Sequence, residues 1–304
     1  MKALTEVISI GAQTHVDALM AKLEAEFYLL QAEGIKIDLE ETNSGNFTFI
    51  GCNIADYGQC DYTHDDTQSI FKHYVANIIS DAIIGYYEGD LIKEIIQENY
   101  YYFNEDERKT INRYAAKYTN HDDNATGEYM VYQIGRKSMI LQRVLEYLQN
   151  NNELVIEGFI KFRLKEYLQE LQEAVDRAVD DFMMEREYKE FIRLLKYFVE
   201  IQEPRVDKVH IYMDVKGVFK LLDEDKKPIN NDYLDGFIVD LAENEINYED
   251  LLISALITIA PKEVVLHFRD TVKLSSVVST IKNVFGIRAV NCIGCDLCKQ
   301  SSRI

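Results

Sequence analysis

The sequence contains few prolines, no tryptophan and no long apolar run, and these absences exclude several classes of structure. All three prolines lie in the last third, so the first 203 residues can form long uninterrupted helices. The longest mainly apolar run, residues 251–260, is much shorter than a membrane span. Residues 1–12 are neither long enough nor apolar enough for a signal peptide. We therefore expect a cytoplasmic protein without a membrane span.

Basic residues are also scarce: 33 Lys and Arg stand against 52 Asp and Glu, which gives a net charge of -19. Such a charge repels the phosphate backbone of nucleic acids and anionic membrane surfaces unless a local basic patch compensates for it. The basic residues within 161–165 and 186–196 alternate with acidic ones, which is typical of a solvated helix face. The sequence therefore predicts that nucleic acid is not a partner.

Hydropathy patterns divide the chain into three segments, and 47% hydrophobic residues suffice for a full core. Residues 1–62 read as a small α/β unit, and residues 63–203 as a helical domain with long amphipathic helices. Residues 204–304 read as an α/β domain that ends in a cysteine cluster. The predicted fold class is α+β and predominantly helical.

Within the first two segments, alternation predicts strands and three- to four-residue spacing predicts helices. The predicted strands are residues 4–10, 35–40, 47–54 and 128–134, and the first helix is residues 14–32. Gly85 and Gly89 predict a kink near Glu88 in the helices that begin at residue 67. The longest helical signal is residues 153–202, with a register slip between Phe182 and Tyr188. This pattern favours an intramolecular bundle over a dimeric coiled coil.

The last segment alternates between the two patterns, which is typical of an α/β domain. Its predicted strands are residues 208–214, 218–222, 263–268 and 288–291, and its predicted helices are residues 248–259 and 273–284.

Five cysteines occur, and three of them fall within seven residues, which is not the spread of a secreted disulfide framework. Cys292, Cys295 and Cys298 form a C-x2-C-x2-C motif directly after a predicted strand, and Gly294 suits a tight turn between the first two. Thiolates at this spacing can bind a zinc ion or an iron–sulfur cluster. A thiol redox or sensing role and incidental cysteines are the alternatives.

A tetrahedral site needs a fourth ligand, and residues 299–304 contain neither the cysteine nor the proline that closes a ferredoxin-type run. The candidates are Cys52, Cys60, His64, a residue of a second chain, or an open position. Cys60 and His64 stand at a zinc-like interval. Cys52 lies in an apolar strand, where a free cysteine is usually a small core residue.

Histidines suggest one further chemistry. The triplets His64-Asp65-Asp66 and His121-Asp122-Asp123 resemble ligand pairs of metal phosphohydrolases, but helix capping beside a solvated histidine explains them more simply. His210 and His267 lie on predicted strands among apolar neighbours, and we interpret them as hydrogen-bonded core residues. Since a glycine-rich phosphate loop and a nucleophile elbow are also missing, no catalytic residue is predicted.

Three stretches, residues 152–163, 248–256 and 292–298, resemble the YtxC-like family of spore-forming Firmicutes. The resemblance covers most of the chain. It implies a cytosolic role in sporulation and supplies no catalytic residue or cofactor. The resulting hypothesis is a non-enzymatic interaction or regulatory protein with a protein partner and a C-terminal cysteine metal knuckle. The alternative is an iron–sulfur or thiol redox protein that uses the same three cysteines.

Overall fold

A computed structural model describes residues 7–32, 34–56, 64–119, 127–213, 219–229, 248–267 and 275–301. The chain forms two compact units, residues 1–183 and residues 184–304. The described part of each unit contains a four-stranded mixed sheet, and helices make up most of the remaining elements. The predicted α+β, predominantly helical class is therefore confirmed. The predicted borders at residues 62 and 203 stay predictions.

The sheet of the first unit is built mainly from the N-terminal strands. Its strands are β1 (Val7–Ala12), β2 (Lys36–Ser44), β3 (Phe47–Asp56) and β4 (Glu153–Val155). The order is β2-β3-β1-β4, with β1 antiparallel to β3 and parallel to β4. Ile8 and Ile10 alternate with less buried residues and lie in the core, as expected for a half-buried strand. The strands predicted at residues 35–40 and 47–54 are confirmed, as is the strand predicted at residues 4–10 from residue 7 on, residues 4–6 lying outside the described residues.

The prediction of a single helical signal from residue 153 is wrong. Glu153–Val155 is a strand because its backbone pairs with β1, where Ser9 lies opposite Glu153 and Ile10 opposite Leu154. Two helices follow, α6 (Ile156–Arg163) and α7 (Lys165–Ile201), of which α7 contributes residues to both units. Leu164 separates them with a non-helical backbone at φ −107° and ψ 44°.

The other helices of the first unit lie between these strands in the sequence. They are α1 (Val16–Ala32), α2 (His64–Ala82), α3 (Glu88–Asn99), α4 (Glu105–Thr119) and α5 (Gly127–Leu148). The strand predicted at residues 128–134 is wrong, because these residues lie in α5. The buried residues Ile140, Val144 and Leu148 recur every four positions and show its helical period. The predicted kink near Glu88 corresponds to a π-helical turn, Ile83–Tyr87.

A buried ion pair joins the helices of the first unit. Glu88 and Arg136 are 1% and 4% exposed, and Arg136 Nη1 donates to Glu88 Oε2 at 2.9 Å. The hydroxyl of Tyr167 donates to the same carboxylate oxygen at 2.7 Å, and Arg136 also donates to the carbonyl oxygen of Thr119. Buried charges are tolerated when they are paired and hydrogen-bonded in this way. The network therefore connects α3, α4, α5 and α7.

The second unit follows the predicted strand and helix order. It contains β5 (Val206–Met213), β6 (Phe219–Leu222), α8 (Tyr248–Ile259), β7 (Pro261–Leu266), α9 (Ser275–Phe285), β8 (Ala289–Asn291) and α10 (Asp296–Ser301). The sheet order is β6-β5-β7-β8, in which β5, β7 and β8 are parallel and β6 is antiparallel to β5. The helix α10, which carries the last cysteine, was not predicted.

The two faces of this second sheet bury different residues. Val209, Ile211, Val264 and Leu266 pack into an apolar cluster together with residues of α7, α8 and α9. Because side chains alternate along a strand, His210 lies on the opposite face. None of the helices in the described ranges combines the length and the apolar character needed to cross a bilayer.

Candidate metal centre

Three cysteines and one histidine converge in the second unit. The ligand atoms of His267, Cys292, Cys295 and Cys298 all lie within 4.8 Å of one another. His267 Nδ1 is 3.2 Å from Cys295 Sγ and 3.5 Å from Cys298 Sγ, and the two sulfurs are 3.9 Å apart. In a tetrahedral zinc site, ordinary bond lengths place two sulfurs about 3.8 Å apart and sulfur about 3.5 Å from nitrogen. The donor atoms of His267, Cys295 and Cys298 therefore have the spacing of ligands that share one ion, and Cys292 Sγ lies within 4.8 Å of each of them.

The sheet positions two of the four residues. His267 directly follows β7, and its backbone N–H donates to the carbonyl oxygen of Ile211 on β5 at 2.8 Å. Cys292 directly follows β8, and its N–H donates to the carbonyl oxygen of Leu266 at 2.9 Å. Because β7 and β8 are parallel neighbours, their carboxyl ends lie at the same edge of the sheet. This edge brings residues 267 and 292 together.

A tight turn and a short helix position the other two cysteines. Gly294 adopts φ +141°, a conformation that side chains rarely allow, and it lies between Cys292 and Cys295. This agrees with the prediction that Gly294 permits the turn. Cys298 lies in α10, which packs against β5. The backbone N–H groups of Leu297 and Cys298 donate to Cys295 Sγ, as is common for metal-binding cysteine turns.

The thiols have unequal proton affinities. Burial raises the pKa of Cys295, but the N–H groups of Cys298 and Leu297 and the neighbouring thiols outweigh it and hold that pKa below its ordinary value. Burial and the neighbouring cysteines raise the pKa of Cys298 to about 11. The pKa of Cys295 is thus lower than that of Cys298. A bound divalent metal would deprotonate the thiols, because thiolates are the metal ligands.

A second histidine contacts the candidate ligand His267. His267 is 2% exposed, and its Nε2 lies 2.9 Å from His210 Nδ1. Burial, followed by the charges of His210 and Lys226, lowers the pKa of His267 to about 4. Burial, followed by Lys208 and Lys226, also lowers the pKa of His210. Neutral imidazole is the form that binds metals.

The sequence predicted three of these residues as candidate metal ligands and did not predict the fourth. His267 was interpreted as a hydrogen-bonded core residue, and it is buried and bonded to His210, but its other nitrogen faces the cysteines. A signal for its position beside the cysteines was present, since His267 and Cys292 each follow a strand of a predicted α/β domain. Parallel neighbouring strands would place both residues at one edge. The assignment of the cysteines as metal ligands stays a prediction.

The other candidate ligands lie elsewhere or outside the described residues. Cys52 is fully buried in the core of the first unit, and burial raises its pKa to about 12, which fits the predicted small core residue. Cys60 and residues 121–123 lie outside the described ranges. His64 is the first residue of α2, but its side chain is not among those described. The described residues therefore do not test whether these triplets bind a metal.

Comparisons with known proteins agree on one family. The model of the YtxC-like family matches residues 73–290, a range that includes His210 and His267 and ends two residues before Cys292. The protein described as "Uncharacterized protein YtxC" from Bacillus subtilis (strain 168) is 30% identical over 201 residues. That alignment covers 65% of this chain and 69% of the relative. No solved structure matches the chain.

Proposed function

Because the chain belongs to the YtxC-like family, we propose that it is a cytoplasmic, sporulation-associated interaction protein whose C-terminal centre binds one structural zinc ion. The observation that carries the metal part is the convergence of four donor atoms within 4.8 Å. The link to sporulation and to the cytoplasm is supported by the family resemblance of the sequence. The centre of His267, Cys292, Cys295 and Cys298 is called the Cys3His centre below.

Zinc fits the donor set better than an iron–sulfur cluster. Iron–sulfur clusters are held mostly by four cysteines, whereas the Cys3His centre offers three sulfurs and one nitrogen. The sulfurs of Cys295 and Cys298 are 3.9 Å apart, a separation that suits two ligands of the same ion. Cys3His is a common ligand set of structural zinc sites.

The number of protein ligands favours a structural role over a catalytic one. A catalytic zinc keeps an open position for water or substrate, whereas four protein ligands fill a tetrahedral ion. A zinc ion here would connect the ends of β7 and β8 with α10, which has only six residues. An isolated helix of that length is not stable on its own. The metal would therefore hold the end of the described chain on the sheet.

A protein partner is supported by exposed apolar residues on the last part of α7. Phe191, Leu194, Phe198 and Ile201 recur at spacings of three and four, and each exposes about half of its surface. A row of large apolar side chains on a surface helix usually marks a contact with another protein. The large negative net charge supports the absence of a nucleic-acid partner.

Metal analysis of anaerobically purified protein tests the zinc centre. We expect about one zinc ion per chain in the wild type and a loss of most of it in Cys292→Ser, Cys295→Ser and Cys298→Ser, because each removes one of four ligands. Cys52→Ala is the matched control, since this cysteine lies in the core of the first unit, and it should keep its zinc. A zinc-free wild type, or variants that retain zinc, would contradict the proposal.

Two other results would redirect the functional proposal. A brown, iron-containing protein whose visible absorbance disappears in Cys295→Ser would contradict the zinc proposal and favour the iron–sulfur alternative. Strong turnover of phosphoester or redox substrates by the purified protein would contradict a non-enzymatic role. A colourless protein that contains zinc and has no such turnover supports the proposal.

A further inference from the structure

We propose that His210 is a positioning residue that makes His267 present its Nδ1 atom, rather than Nε2, to the metal. The inference rests on the proposed zinc centre and adds a residue that is not one of its four ligands. It is carried by the placement of the two ring nitrogens of His267. One faces the cysteines, and the other faces His210.

The two contacts of His267 select one proton arrangement. Nδ1 lies 3.2 Å from Cys295 Sγ and 3.5 Å from Cys298 Sγ, so this nitrogen offers its lone pair to an ion between them. A neutral imidazole that binds metal through Nδ1 carries its proton on Nε2. Nε2 lies 2.9 Å from His210 Nδ1, so His210 Nδ1 must accept that proton. His210 therefore carries its own proton on Nε2.

The fold holds His210 firmly in this place. β5 is flanked by β6 and β7, and His210 is paired with Leu222 on one side and with Val265 on the other. Its exposed fraction is only 9%, and its ring centroid lies 5.0 Å from that of His267. A hydrogen-bond acceptor on an interior strand is preorganised before metal enters. Hydrogen bonds of this kind fix the tautomer and the orientation of metal-binding histidines.

Removing His210, the hydrogen-bond acceptor of His267, should weaken zinc binding. Without His210, the N–H of His267 is buried without a partner, and the imidazole can also adopt the tautomer that places a proton toward the cysteines. Loss of such an outer hydrogen bond typically weakens metal binding about 10- to 100-fold. The four ligands themselves are unchanged.

Zinc affinity, measured by competition with a chromophoric chelator on the full chain, tests this role. We expect a roughly 10- to 100-fold weaker affinity in His210→Ala and recovery of most of it in His210→Asn. The Asn side-chain oxygen can accept a hydrogen bond near the position of Nδ1, whereas Ala cannot. Tyr212→Phe is the control, because residue 212 lies on the same strand and face. This control should bind like the wild type.

The cobalt-substituted proteins provide the second readout. We expect every variant to keep the absorption of a tetrahedral cobalt ion with three thiolates, since His210 is not a ligand. Wild-type protein that binds no zinc would contradict the proposed function itself. Tight wild-type binding with unchanged affinity in His210→Ala, or equal losses in Ala and Asn, would overturn only the role of His210. A changed cobalt spectrum in His210→Ala would also overturn it.

Discussion

Removal of zinc by a chelator is expected to lower the unfolding free energy of the second unit by about 4 kcal/mol. This value compares the metal-free protein with protein in free zinc at about 1,000 times the dissociation constant. The reason is that the proposed ion would bind only the folded arrangement in which the ends of β7 and β8 meet α10. A loss of this size corresponds to a decrease in melting temperature on the order of 10 °C. Thermal unfolding with and without chelator measures it.

Hydrogen exchange followed by mass spectrometry locates the effect. Chelation should remove amide protection from α10 and from the ends of β7 and β8, and added zinc should restore it. The strands β1 to β3 belong to the first unit and serve as an internal control, because the Cys3His centre lies in the second unit. Unchanged protection of α10, or equal losses in both units, would contradict a structural metal.

Arg136→Leu is expected to destabilise the first unit by about 3–5 kcal/mol, because it leaves the carboxylate of Glu88 buried without its cation. The substitution also removes the hydrogen bond to the carbonyl oxygen of Thr119. Urea unfolding, followed through the exchange of α5 peptides, measures this change. Exchange resolves the two units separately, whereas a single overall transition would mix them.

Two variants control for the loss of an arginine. Arg143 lies on the same helix but its side chain is 44% exposed, and its ion pairs with Glu146 and Glu166 lie at the surface. Arg143→Leu should therefore cost less than about 1 kcal/mol. Adding Glu88→Leu to Arg136→Leu should recover part of the loss, because no buried charge then remains unpaired. Equal effects of Arg136→Leu and Arg143→Leu would refute a special role for the buried pair.

The sequence predicted those elements whose signal is local. α8 spans the predicted residues 248–259, because its apolar spacing and its flanking polar residues are contained in one short stretch. The strand β4 was missed because three residues, Glu153–Val155, show no period of their own. Their extended form depends on the backbone of β1, more than 140 residues earlier in the chain. Pairing over such distances is not visible in local periodicity.

For the long helix α7, the sequence indicated the change of buried face but not the break that precedes the helix. The heptad spacing of α7 slips between Phe182 and Tyr188, and the border of the two compact units falls at residues 183 and 184. A helix that packs into two different cores changes its buried face, and the slip records that change. The preceding break at Leu164 was not visible, because leucine fits a helix interior as well as a helix end.

The sequence predicted the part of the candidate site whose residues lie close together in the chain. Cys292, Cys295 and Cys298 lie within seven residues, so their convergence follows from a turn at Gly294. His267 lies 25 residues before Cys292, and its place depends on the parallel pairing of β7 with β8. Apolar neighbours along the strand made His267 resemble a core residue. Because side chains alternate along a strand, His267 lies on the opposite face from Leu266.

X-ray absorption at the zinc edge of the zinc-loaded wild type is the most direct test of the Cys3His centre. We predict three sulfur ligands at about 2.3 Å and one nitrogen ligand at about 2.0–2.1 Å, with the outer scattering of an imidazole ring. His267→Ala should lose the imidazole signal and keep the three sulfurs. Four sulfur ligands, or an imidazole signal that persists in His267→Ala, would contradict the assignment of His267 as the fourth ligand.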